Sequence, residues 1–350
     1  MRITFRNALK AMGWSLLSVT AIAAAIAVWL IVPGTPTSAK SLDFRGFVLL
    51  PSGALLTVLD YLTVDDGTLY VTNESTGSAY KIALHPGTMP HDADIAMIPG
   101  EPATHGVLID PLTHLAFVTR SEVNTVDVFD PAAMAVLERI PVGDDPDGIF
   151  YEPVQKLVYV ANGDAHRATL IDPQTRAVAA VIPLGGKPEY AVFDAKTALM
   201  YQNLRDTNEV AAVDVAKKAV VERWPLDRCE EPSGMAMDEL NRRLFVVCAH
   251  NGVLAVIDID KKTVINRLSI GGGPDSVAFD AQLRRIYTTG KSGVLVAVQQ
   301  DTPDAYHQID RIRLHYGAHT LAVDPATHRV YVGYASLLVR PRLAVFSPLP

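Results

Sequence analysis

The sequence predicts an all-β fold, a seven-bladed β-propeller of four-stranded blades preceded by an N-terminal helix. Three observations carry that prediction. An acidic residue closes a short apolar run at Asp110, Glu152, Asp194, Asp238, Asp280 and Asp324, at intervals of 42, 42, 44, 42 and 44 residues. Seven residues after each stands an aromatic: Phe117, Tyr159, Tyr201, Phe245, Tyr287 and Tyr331. A slightly shortened earlier copy, Asp65 followed by Tyr70, completes seven units. A period of about 40–45 residues with four strands in each repeat is the sequence signature of a propeller blade.

Each unit reads as four short strands. In the third, Gly148 to Glu152 is the first strand, Lys156 to Asn162 the second, Ala168 to Asp172 the third and Ala177 to Pro183 the fourth. Val, Ile, Tyr and Phe dominate these runs, and connectors such as Asp172-Pro173-Gln174-Thr175 carry turn chemistry. A proline stands eleven residues before the acidic marker at Pro99, Pro141 and Pro183, and Pro225 is displaced by a two-residue insertion. Proline donates no ladder hydrogen bond and belongs on an edge strand, as the outermost strand of a blade is. After Arg342 to Phe346 the seventh unit lacks its fourth strand. Phe44 to Pro51 supplies one, since Leu50-Pro51 parallels Ile98-Pro99, Ile140-Pro141 and Ile182-Pro183. The expected ring therefore spans residues 42–350 and closes by pairing its first strand into its last blade.

Residues 1–40 stand apart. Arg2, Arg6 and Lys10 precede a charge-free run of 22 residues, Ala11 to Val32, which Pro33-Gly34 end. That length crosses a hydrocarbon core of about 30 Å as a helix, with the basic side cytoplasmic. Thr37-Ser38-Ala39 offers a small-residue cleavage site, so a signal peptide competes with a signal anchor. Either reading exports the ring to the periplasmic side, anchored to the inner membrane by the helix or free if cleaved after Ala39.

Without residues 1–39 the chain holds 28 Lys and Arg against 38 Asp and Glu, a net charge of −10. Phosphate backbones need clustered cations, so nucleic acid is not an expected partner. There is no Cys-x-x-Cys-His, P-loop or Gly-x-Ser-x-Gly motif. Cys229 and Cys248 both fall in the expected exported part, on the same face of the fifth unit, and are expected to form a disulfide.

Tyr70-Val71-Thr72-Asn73 is literally the phrase YVTN, and Tyr159-Val160-Ala161-Asn162 nearly copies it. With the fixed offsets, the region 42–350 resembles the bacterial YVTN-repeat seven-bladed β-propellers of the YncE-like group. The resemblance implies the fold and an exported location. It implies no single activity, because wider relatives include lactone-cleaving propellers and the propeller parts of redox enzymes, and a fold is not an activity.

Chemistry is expected at the mouth of the channel. Five residues before each acidic marker the chain enters the innermost strand, at Asp60, His105, Asp147, Glu189, Ser233, Asp275 and His319. Four carboxylates, two imidazoles and a hydroxyl would converge on one opening. Clustered carboxylates repel, so their pKa values rise unless cations or donors compensate. His105, Asp147, Glu189, Asp275 and His319 would suit a divalent metal such as Ca²⁺, Mg²⁺, Mn²⁺ or Zn²⁺. The plainer alternative is polar residues at a solvated strand entry, four of them following Pro146, Pro188, Pro232 and Pro274. Arg120, His166, Arg167, Arg205, His250 and Lys291 on the second-to-third loops would surround the acidic centre with basic groups. His85, His91, Asp92 and Asp94 form another cluster in the first unit, on a loop of the opposite face whose spacing matches no structural zinc site.

These features point to a binding module that presents its loop face and acidic mouth to a small molecule, a metal or a protein. The alternative is a metal-dependent hydrolase of lactonase type, in which the ring holds the ion and a carboxylate or His105 or His319 moves protons.

Overall fold

The structure is a computed structural model and describes residues 35–349 other than 53, 99, 101–102, 134 and 338–339. The expected N-terminal helix falls in residues 1–34, outside the described residues. Among the described residues no helix is long and apolar enough to cross a membrane.

Seven four-stranded antiparallel sheets form the ring. In blade 3 the strands are Pro146–Glu152, Leu157–Asn162, Arg167–Asp172 and Ala177–Pro183. The expected runs are met within two residues at either end. Blade 7 contains Thr320–Val323, Val330–Gly333 and Arg342–Pro348, and its outer strand is Leu42–Leu49. Register runs from Leu42 opposite Pro348 to Leu49 opposite Arg342, which closes the ring as the repeat count requires. Pro141, Pro183 and Pro225 end the outer strands of blades 2, 3 and 4. Pro51 lies just beyond the closing strand instead of within it.

Burial follows position in the blade. A second strand is packed on both faces by neighbouring blades, so five of the six residues of Leu157–Asn162 are buried. The outer strand Ala177–Pro183 faces water and buries one residue, Ile182. The repeated aromatics fill the spaces between blades. Phe117 packs with Val158, Val160 and Ile171 of blade 3, and Tyr201 with Leu244 and Val246 of blade 5. Fully burying such a ring contributes about 1.5–3 kcal/mol.

The acidic markers have a structural task. From Asp110 to Asp324, each caps the turn after its inner strand. Asp110 accepts hydrogen bonds from the Thr113 amide at 2.7 Å and hydroxyl at 2.6 Å, and Glu152 accepts from the Gln155 amide at 2.7 Å. Some also reach the next blade: Asp194 meets Arg242 of blade 5, and Asp280 meets His328 of blade 7. The closure has its own lock. Asp310 of blade 6 accepts hydrogen bonds from the Ser41 amide at 2.6 Å and from the Ser41 hydroxyl. The Arg285 guanidinium donates to the carbonyl of Leu349 at 2.9 Å.

On the opposite face, His85 and His91 both reach Asp94, at 3.2 and 3.3 Å, around a 3-10 turn at Asp92–Asp94. The two imidazoles are exposed, and this cluster is an ordinary loop. Cys229 and Cys248 form a disulfide.

Candidate functional site at the channel mouth

All seven ring positions line a cavity of about 540 Å³ that runs from the loop face down the inner strands. They do not form one uniform ring. A register common to blades 2 to 6 sorts them, and blades 2, 4 and 6 show its effect. Thr104 pairs with Arg120, Pro188 with Leu204 and Pro274 with Gly290, and the next residue on each strand meets its counterpart. In blade 4 that contact is Glu189 with Arg205 at 3.1 Å, and in blade 6 it is Asp275 with Lys291 at 3.7 Å. Arg205 also holds Glu231 at 2.6 Å. Two of the expected basic surround thus reach inward and neutralise half of the mouth. Arg120 instead lies buried beside Asp127, 3.4 Å away.

In blade 2 the same register brings His105 and Ser121 together, with Nε2 and Oγ 2.9 Å apart. The other nitrogen, Nδ1, lies 2.6 Å from Oδ2 of Asp60 in blade 1 and 3.8 Å from Oδ1 of Asp147 in blade 3. A carboxylate only accepts, so Nδ1 carries the shared proton and donates it to Asp60. His319 stands further off. Its Nε2 is 4.0 Å from Asp60, while Nδ1 donates to the carbonyl of Gly317 at 2.9 Å. Ser233 is buried, and its hydroxyl donates to backbone carbonyls, that of Pro274 at 3.3 Å being the nearer.

Of the five residues expected to suit a metal, His105 and Asp147 come together, and Asp60 joins them. One ligand atom from each lies within 4.8 Å of the others. Two ligands sharing one Zn²⁺ or Mg²⁺ at ordinary bond lengths stand roughly 3 Å apart or more. The 2.6 Å pair is closer than that and is a hydrogen bond. A cation would have to displace its proton.

Burial dominates the electrostatics. It opposes charging of His105, but the Asp60 hydrogen bond and the charges of Asp147, Asp60 and Glu74 outweigh it and raise the pKa to about 9. Asp147 is pushed well above the usual carboxylate range, first by burial and then by the Asp60 charge. Burial also raises Glu189, although the Arg205 charge and hydrogen bond pull it back. The signs combine. A histidine raised to about 9 from 6.5 adds stability in full below pH 6.5 and loses it as pH climbs through 9. A carboxyl raised above 3.8 is disfavoured once deprotonated, so Asp147 also takes stability away as pH rises. The expected result is a melting temperature that falls between about pH 6.5 and pH 9, with a shallower fall in His105→Gln. Identical slopes in the two proteins would contradict this account of His105.

Three residues at the mouth escape a search based on charge and ring position. Tyr61 and Tyr190 each follow a ring carboxylate, line the cavity and stack in parallel, with centroids 6.1 Å apart and planes 6° apart. Strict alternation along a strand would turn them away from the lumen. Irregular register between Leu59 and Leu62, and between Pro188 and Ala191, lets two successive side chains face inward. Ser121 stands four residues after Phe117, as Glu74, Arg205 and Lys291 stand four after their aromatics. That offset would have found it.

The fold has known counterparts. The chain is similar to the hydrazine synthase of Kuenenia stuttgartiensis, with a TM-score of 0.67 and 18% identity over 83% of this chain and 97% of that one. It is also similar to the virginiamycin B lyase of Staphylococcus aureus, with a TM-score of 0.69 and 10% identity over 88% of this chain and 100% of that one. A streptogramin B lyase gives a TM-score of 0.69 and 11% identity over 89% and 99% of the two chains. At these identities the likeness shows the seven-bladed propeller fold. No family model and no curated protein sequence matches the chain.

Proposed function

We propose that this propeller binds a small molecule at its channel mouth, and that the ligand carries a cationic or strongly hydrogen-bond-donating group beside a planar one. The observation that carries this reading is the asymmetry of the mouth. Glu189 and Asp275 have cationic partners within their own blades, whereas Asp60 and Asp147 face the lumen with only His105 between them. Parallel tyrosine rings in the same cavity offer flat apolar faces. Concave sites with a few convergent polar groups are where small ligands bind.

The test is a thermal-shift panel of aromatic amines and amino alcohols beside their uncharged and carboxylate analogues. A specific ligand stabilises by RT ln(1 + [L]/Kd). Cationic members should raise the melting temperature, and Asp147→Asn should remove most of that rise. No shift with any member, or equal shifts from the carboxylates, overturns the reading.

A divalent cation is the second reading, favoured by the closeness of ligand atoms on Asp60, His105 and Asp147. It belongs with the metal-dependent lactonase alternative, and the lyases of the same fold support an enzyme on this scaffold without indicating which. Metal content of the purified chain, and shifts with Ca²⁺, Mg²⁺, Mn²⁺ and Zn²⁺, separate it from the first. No bound ion and no shift removes it.

The lineage and location form part of the proposal. The YVTN phrase and its offsets support membership of the YVTN-repeat propellers. Arg2, Arg6 and Lys10 before the charge-free run support export and tethering to the inner membrane, and a disulfide suits an oxidising compartment.

A further inference from the structure

We infer that Ser121 is a nucleophile, activated by His105 and Asp60, and that the channel mouth hydrolyses a small neutral or cationic ester. This rests on the reading of the mouth as a ligand site and adds a reaction to it. A nucleophilic serine needs a base within hydrogen-bond reach, and the base needs a third group that fixes its tautomer. All three relations are present. Ser121 Oγ lies 2.9 Å from His105 Nε2, and His105 Nδ1 lies 2.6 Å from Asp60 Oδ2.

The arrangement is held by backbone as well as side chains. The Ser121 amide donates to the carbonyl of Ala103 at 2.9 Å, and the Ala103 amide donates to the carbonyl of Glu74 at 2.8 Å. Ala103 is two residues before His105, so base and nucleophile share one short, bonded segment of blade 2. Asp60 comes from blade 1. The relay therefore exists only when the two blades are docked. Blades 4 and 6 fill the equivalent positions with ion pairs, Glu189 with Arg205 and Asp275 with Lys291. Only in blade 2, among these three, does the register yield a base beside a hydroxyl.

The step balances with an ester and water alone. Ser121 Oγ bonds to the carbonyl carbon while its proton passes to His105 Nε2, and the carbonyl electron pair moves to oxygen. When that pair returns, the bond to the alkoxy oxygen breaks and the leaving alcohol takes the proton from Nε2. Water then repeats the sequence on the acyl-serine, giving its proton to Nε2, releasing the acid and returning the proton to Ser121. The lumen's carboxylates repel an anionic acyl group, which restricts the class to neutral or cationic esters. Tyr61 and Tyr190 favour those with a planar group.

Ser121 is half-buried, and His105 and Glu74 line the cavity beside it. Reaction of the full chain with an alkyl fluorophosphonate, followed by peptide mapping, reads the nucleophile directly. It is run at about pH 9, where the neutral imidazole is populated. The expected result is a single phosphonyl group on Ser121, absent from Ser121→Ala and formed at least about tenfold more slowly in His105→Gln and Asp60→Asn. Wild type should also release p-nitrophenol from p-nitrophenyl acetate with a burst, which Ser121→Ala loses while keeping its melting temperature. If His105→Gln fails to fold, Asp60→Asn carries the comparison. A Ser121 peptide that stays unlabelled in folded wild type overturns the inference, as do equal labelling rates in wild type and Asp60→Asn. The ligand panel fails independently: shifts without labelling leave a binding site with no nucleophile, and labelling without shifts leaves a reactive serine outside a ligand site.

Discussion

Arg242→Ala is expected to lower the stability of the ring by about 3–5 kcal/mol, the usual loss when one partner of a buried ion pair is removed. Arg242 holds Asp194 through two hydrogen bonds, Nη1 to Oδ1 at 2.5 Å and Nη2 to Oδ2 at 2.8 Å, across the boundary between blades 4 and 5. Asp194 is 1% exposed, so its charge has no water to turn to when the guanidinium is gone. Its remaining partners, the Lys196 amide and the Thr197 and Tyr201 hydroxyls, are neutral donors. The pH dependence identifies the cause. Burial pushes the Asp194 carboxyl up, but Arg242, Thr197 and the Lys196 amide hold it down at about 2. A carboxyl depressed below 3.8 contributes stability above that value and loses it as pH falls through 2. In Arg242→Ala the same carboxyl is destabilising while charged and relieved by protonation. The deficit, measured by urea denaturation, should therefore be large near pH 7 and shrink towards about pH 3. A deficit that does not change with pH would point to lost packing and count against the ion pair. Adding Asp194→Asn to Arg242→Ala should cost less than the sum of the single changes, because the stranded charge is gone.

Replacing both cysteines, Cys229→Ala with Cys248→Ala, is expected to cost about 3 kcal/mol in the chain-entropy account of a loop of this length. The bridge spans 19 positions in sequence. Its effect should extend to the mouth. Glu231 follows Cys229 by two residues, receives Arg205 at 2.6 Å, and Arg205 in turn holds Glu189 at 3.1 Å. Loosening that loop frees Glu231 and weakens the cationic clamp on the blade 4 side of the cavity. Denaturant midpoints of oxidised wild type, reduced wild type and the double variant give the comparison. The reduced and double-variant proteins should fall together, below the oxidised one. Coincident midpoints for all three would mean that the loop is ordered without the bridge.

The ring was readable because a blade is defined by contacts that recur. Each acidic marker from Asp110 to Asp324 caps a turn in its own blade, and each aromatic seven residues later fills a gap between blades, so both positions are constrained in six of the seven units. Strand ends shifted by a residue or two because hydrogen-bonded register, not side-chain type, decides them. Leu59 and Pro188 show this in their irregular pairing. The mouth was readable as a set of positions and unreadable as a set of partners. That His105 would choose Asp60, 45 residues away in the neighbouring blade, depends on rotamers and on how the inner strands converge at the lumen. Arg205 and Lys291 were visible as cations on a rim, but nothing in their spacing says that they fold inward. Ser121 carries no charge, and a hydroxyl becomes notable only once an imidazole stands beside it.

Closure through Leu42–Leu49 also sets an order of events during synthesis. This strand is made before any of blades 1 to 6, yet its partner, Arg342–Pro348, is made after all six. Until then the last blade is a strand short, and Leu42–Leu49 has no neighbour to satisfy its backbone. Pairing segments so far apart in the chain carries a large loop-closure entropy and is intrinsically slow. Blades 1 to 6 can form their own sheets as they are made, but they cannot be held in a circle before Arg342–Pro348 arrives. The relay of Asp60 with His105 and Ser121 needs only blades 1 and 2, so it can assemble well ahead of the ring that encloses it.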